Sequence, residues 1–140
     1  MELLLDTHAF LWYVTGDEQI SNDAKLYIDD RDNIRYLSTA SLWEISIKYS
    51  LGKLLLMEPY EVLIPRLLQI NDIHILNISL EHMSEVANLP FPDQDHRDPF
   101  DRLIIAQSKV EDIPVFSIDS KFDELCSFLV YGEKLRKGVS

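Results

Sequence analysis

The stretch "ELLLDTHAFLWYV" (2–14) sets the first structural unit. "ELLLD" (2–6) is a short apolar run fit for a buried strand. "AFLWYV" (9–14) begins a short helix. A strand that ends in an acid and turns at once into a helix is half of a parallel β–α–β unit, and the same alternation continues outward.

Ser21 caps a helix over "NDAKLYIDD", and "NIRYLS" (33–38) reads as a second strand. "TASLWEISIKYSLGK" (39–53) has helical spacing, with Leu42, Ile45 and Tyr49 on one side and Gly52 as its stop. "PYEVLIPRLLQIN" (59–71) is helical, with a bend expected at Pro65. "IHILNI" (73–78) is a third strand. Ser79 starts the helix "LEHMSEVANL", although Ser79-x-x-His82 lacks the Glu of an ideal capping box. "PFPDQDHR" (90–97) is an exposed loop, "DPFDRLIIAQSKVED" (98–112) a helix, and "IPVFSID" (113–119) a fourth strand. A last helix starts near Lys121, and "FLVY" (128–131) is a fifth, edge strand. This alternation predicts a three-layer α/β/α sandwich with a central parallel sheet, as a single domain over residues 1–140.

A hydrophobic content of 46% is enough for a real core. No apolar run approaches the roughly 18–20 residues that span a bilayer. The opening "MELLLDTHAFLW" lacks the basic leader of a signal peptide. Cys126 is the only cysteine, so no internal disulfide forms, which fits a reducing cytoplasm. The balance of 13 Lys+Arg against 24 Asp+Glu gives a net charge of −11. That excludes binding to nucleic acid through bulk charge alone. It does not exclude a nucleic-acid enzyme, because metal ions neutralise local acid and draw phosphates in.

The acids fall in a pattern. In open parallel sheets, ligands bind beyond the carboxyl ends of the strands. The first strand delivers Asp6 there and the fourth delivers Asp119. Glu44 lies about one and a half turns into the helix after the second strand, and Asp98 and Asp101 open the helix before the fourth. Each has a plain structural reading. Asp6 and Asp119 suit helix N-caps. Asp98-Pro99 with Asp101 is a helix start, with a cap, a proline at N1 and a charge facing the dipole. Glu44, between Trp43 and Ile45, is harder to explain that way, because a glutamate on such a face is seldom buried without a partner. Together, crowded carboxylates repel, and a divalent cation removes the repulsion. Hard oxygen ligands favour Mg²⁺ or Mn²⁺ over zinc. Such a site suits phosphodiester hydrolysis. No His/Cys cluster has zinc spacing, and there is no P-loop, GxGxxG or GxSxG.

Four motifs in order, "LLLDTHAFLW", "STASLWEISIK", "HRDPFDRLIIAQ" and "FSIDSKF", resemble those of PIN-domain ribonucleases, in particular the VapC-like toxins of bacterial toxin–antitoxin pairs. The resemblance covers almost the whole chain. It implies a parallel-sheet sandwich and a four-acid Mg²⁺ or Mn²⁺ site made by Asp6, Glu44, Asp101 and Asp119. Asp101 takes the third place because it precedes the apolar "RLIIA", and Asp98 then serves as a cap or outer acid that also reaches metal or substrate. The resemblance further implies an RNA substrate, a cognate antitoxin and a homodimer, with the "KLLLM" segment (53–57) either a contact surface or core.

Smaller expectations attach to the same edge. Thr7 and Ser117 are placed to hydrogen-bond the acids or substrate, whereas Ser38 reads as an ordinary strand-end hydroxyl. His8 and His96 read as surface residues before phosphate ligands. Arg97 and Arg102 either bind RNA phosphates or pair with nearby acids. Lys48 reads as an i,i+4 partner of Glu44, and Trp12 and Trp43 read as core before base-stacking platforms. The competing class is a binding module, either a PIN-like domain without catalysis or a receiver-like regulatory domain. A receiver needs an aspartate after its third strand and a lysine after a late one. Here the third strand ends "HILNIS" and the late one ends in Asp119.

Overall fold

Strand β1 (Glu2–Leu5) lies inside the sheet, and Leu3, Leu4 and Leu5 are fully buried, as a strand covered on both faces requires. The computed structural model describes residues 1–18, 20–90 and 98–117. After β1 come α1 (Thr7–Thr15), α2 (Asn22–Asp29), β2 (Ile34–Ser38), α3 (Thr39–Ser50) and α4 (Tyr60–Ile70). These are followed by β3 (Ile73–Leu76), α5 (Leu80–Asn88), α6 (Pro99–Glu111) and β4 (Val115–Phe116). The expected last helix and the strand over 128–131 lie outside the described residues.

The strands pair in the order β3-β2-β1-β4, every pair parallel, with Leu5 opposite Leu37 on one side and Phe116 on the other. A receiver sheet places β3 beside β1. Here β3 pairs with β2, so the receiver-like alternative is set aside.

Side chains on a strand alternate between faces. Leu5 joins one core with Phe10 of α1, Ile28 of α2, Ile45 of α3 and Ile64 of α4. Leu4 joins the other with Leu89, Ile104 and Ile105 of α6, and Val115. The sheet is therefore the middle of three layers.

Local sequence explains the ends of these elements. Ser21 accepts from Ala24 N at 3.1 Å and starts α2. Gly52 follows the C-cap of α3 with φ +73°, a conformation costly for any residue with a Cβ. Pro65 sits inside α4, as its position in the sequence suggested. α5 does have a capping box, with histidine in the place of glutamate. Ser79 Oγ accepts from His82 N at 3.2 Å, and His82 Nδ1 accepts from Ser79 N at 3.0 Å. The ring's other nitrogen lies 2.9 Å from Glu111 Oε2, which ties α5 to α6. β3 stops at Leu76, short of the expected 78, where the Thr39 hydroxyl meets the Leu76 carbonyl and Asn77 Oδ1. Among the described residues no helix is long and apolar enough to cross a membrane.

Candidate active site

β1 passes directly into α1, and β2 into α3, so both helices begin at the carboxyl edge of the sheet. Asp6 occupies the first junction and is buried. It caps α1, its Oδ1 accepting from Ala9 N at 2.6 Å, while Oδ2 accepts from the buried Ser117 hydroxyl at 2.5 Å. Capping and site membership are thus compatible, because the cap fixes the carboxylate at the edge.

Glu44 is also buried, at 7% exposure. The Thr7 hydroxyl lies 2.8 Å from Glu44 Oε1, and Lys48 Nζ donates to Oε2 at 2.8 Å. The carboxylate charge is therefore compensated by a hydroxyl from α1 and an ammonium one turn along α3. Thr7 follows Asp6 in the chain, so one short segment links both acids.

The third group arrives with α6. Asp98 is exposed and caps the helix, its Oδ1 accepting from Phe100 N at 2.9 Å and Asp101 N at 3.0 Å. Pro99 stands at N1, and Asp101 is half-buried in the first turn. The Phe100 and Trp43 rings meet edge to face, with centroids 5.2 Å apart. That contact joins the residue before Asp101 to the residue before Glu44. The turns carrying Asp6, Glu44 and Asp101 are thereby gathered by Thr7 on one side and Trp43–Phe100 on the other. Asp119 lies outside the described residues, as do His96 and Arg97. Among the described residues, no group of three His, Cys, Asp or Glu side chains is placed to hold a metal ion. The donors that Asp6, Glu44 and Asp101 offer are carboxylate oxygens, and Glu44 already faces one cation in Lys48. That chemistry fits a hard divalent ion.

Two expectations need correction. Trp43 is not core: it is 54% exposed, whereas Trp12 packs against the core. Arg102 is not offered to phosphate, because it is 4% exposed and donates to the carbonyls of Leu89 (2.6 Å) and Pro90 (3.0 Å). Burial lowers its pKa from the ordinary arginine value. Ser38 is the plain N-cap of α3, accepting from Ala40 N at 2.9 Å. His8 is exposed. Sequence reading missed Ser41, which is fully buried with Oγ 2.9 Å from Thr7 Oγ1. Its place three residues before Glu44, on the same helix face, was the available signal.

The family model for the PIN domain matches residues 3–127. The chain belongs to the PIN-domain family. No curated protein matches this PIN domain in sequence. Solved structures share its fold. VapBC2 from Rickettsia felis, bound to a DNA fragment from its promoter, is 17% identical with a TM-score of 0.69, covering 94% of this chain and 98% of that one. FitAcB from Neisseria gonorrhoeae is 20% identical with a TM-score of 0.64, covering 93% and 96%. PAE2754 from Pyrobaculum aerophilum is 12% identical with a TM-score of 0.59, covering 99% and 95%.

Proposed function

We propose that this PIN domain is a divalent-metal-dependent endoribonuclease and the toxin of a toxin–antitoxin pair. The observation that carries the reading is the linkage of Asp6 and Glu44 through Thr7, with the α6 turn of Asp101 fastened beside them by Trp43 and Phe100. Family membership supports nuclease chemistry. The likeness to a toxin–antitoxin complex from Klebsiella pneumoniae, 15% identical with a TM-score of 0.57, supports an antitoxin partner.

Asp6, Glu44, Asp101 and Asp119 would hold Mg²⁺ or Mn²⁺, with Asp98 capping the helix that presents Asp101. When bound, the ion polarises the phosphoryl group and lowers the pKa of water. The chain's own groups supply position. Ser117 and Ala9 N fix Asp6, while Thr7 and Lys48 fix Glu44. Water adds to phosphorus in line as the P–O bond to the departing sugar oxygen breaks, and a carboxylate orients the attacking water.

Leu55 and Met57 are almost fully exposed, so that part of "KLLLM" is surface, while Leu54 packs on the core. They border a largely apolar groove of about 450 Å³ between the end of α1 and α4, which is lined by none of Asp6, Glu44, Asp98 and Asp101. This face suits an antitoxin segment or a second copy of the chain.

Titration of the purified protein with Mn²⁺, followed by calorimetry, tests the site. Asp6→Asn, Glu44→Gln and Asp101→Asn should each weaken binding at least about tenfold, since affinity follows ligand charge. Binding that ignores all three substitutions would refute it.

A further inference from the structure

We infer that Trp43 is a stacking surface for an unpaired base of single-stranded RNA beside the scissile phosphate. The inference rests on the ribonuclease reading and names what its site grips. Trp43 is 54% exposed although it is the residue before the buried Glu44. Its ring packs at 80° against Phe100, the residue before Asp101. An open indole thus stands between the turns that carry two of the acids. Phe100 braces one part of it, so little conformational freedom is lost when a base docks.

Charge limits how such an occupant is held. With 24 acids against 13 Lys and Arg, the field of the chain repels a polyanion at long range. Beyond the one phosphate that a bound metal ion would draw in, grip on the strand then comes from uncharged contacts close to the site. A base presents a π-face that stacks on an indole whatever its sequence, and it is open to stacking only when unpaired. A duplex hides those faces, so the substrate class is single-stranded RNA or a loop.

The chain has two tryptophans, so in the Trp12→Phe protein all indole emission comes from Trp43. That protein is titrated with polyuridylate, with Ca²⁺ in place of Mg²⁺, while anisotropy of labelled RNA follows binding independently. Trp43 emission should be quenched in step with the anisotropy, and duplex RNA should leave it unchanged. Trp43→Ala should weaken binding by about 5- to 150-fold, the equivalent of one lost base stack, and Trp43→Phe should restore most of it. RNA that binds with Trp43 emission unchanged, or equally well to Trp43→Ala, overturns the inference. If cleavage persists in that case, the ribonuclease reading survives alone. Emission that follows protein concentration instead of RNA places Trp43 between copies of the chain and overturns it too. An absence of both RNA binding and cleavage removes both readings.

Discussion

Thr7 Oγ1 lies 2.8 Å from Glu44 Oε1, and the two residues are 37 apart in the chain. This bond joins the start of α1 to α3 and spans two of the site's acids. A valine at position 7 fills the same space and offers no donor to a buried carboxylate. Thr7→Val should cost about 1–3 kcal/mol of stability by denaturant unfolding. It should also lower cleavage about tenfold to a hundredfold, the usual loss when an outer partner of a metal ligand is removed. Thr7→Ser keeps the hydroxyl and should recover both.

Asp98 and Asp101 are separable by substitution. Asparagine caps a helix as well as aspartate does, so Asp98→Asn should leave stability and cleavage near wild type. Asp98→Ala should cost about 1 kcal/mol through the lost cap. Asp101→Asn should instead abolish cleavage. Thermal melts beside an activity assay decide the pair, and an inactive Asp98→Asn protein would assign Asp98 to the site.

Arg102 holds the end of the α5–Leu89–Pro90 segment against the first turn of α6. Lysine offers a compact ammonium in place of the planar fork that reaches both carbonyls. Arg102→Lys should lose about 2–3 kcal/mol, the worth of a charge-assisted hydrogen bond left unmade in a buried setting. Denaturant midpoints measure it, and a neutral outcome would contradict the clamp.

Tyr13 supplies an alkaline limit. Burial, followed by the hydrogen bond to Asp29, raises its pKa from 10.0 to about 12. The protonated phenol is therefore favoured in the folded chain. Its contribution is fully present below pH 10 and is lost as pH rises toward 12. Because the side chain is half-exposed, solvent screening keeps the effect small. Tyr13→Phe should flatten the fall in stability over that window. A fall of the same size in both proteins would show that Tyr13 is not its source.

Much of this was written locally in the chain. Strand ends and helix starts carried their signals in single residues: Asp6, Ser21, Ser38, Ser79 and Asp98 each cap the helix they precede. The acids of β1, α3 and α6 followed from those boundaries. Trp43 was misread for a physical reason. It lies two residues from the fully buried Ile45, about 200° around the helix, so spacing put it outside and only its apolar character suggested core. Arg102's hold on the Leu89 and Pro90 carbonyls was illegible because tertiary packing brings them close. The histidine capping box was legible only in part, since Nδ1 serves as the acceptor that Glu usually supplies.

The most direct test is cleavage of total cellular RNA by the purified, antitoxin-free protein with Mg²⁺, Mn²⁺ or EDTA, beside Asp6→Asn. Asparagine keeps the α1 cap, so that variant should stay folded. The account predicts discrete fragments with either metal, none with EDTA and none with Asp6→Asn. Fragments that persist in EDTA or in the variant, or no cleavage by the folded wild type under either metal, would contradict it.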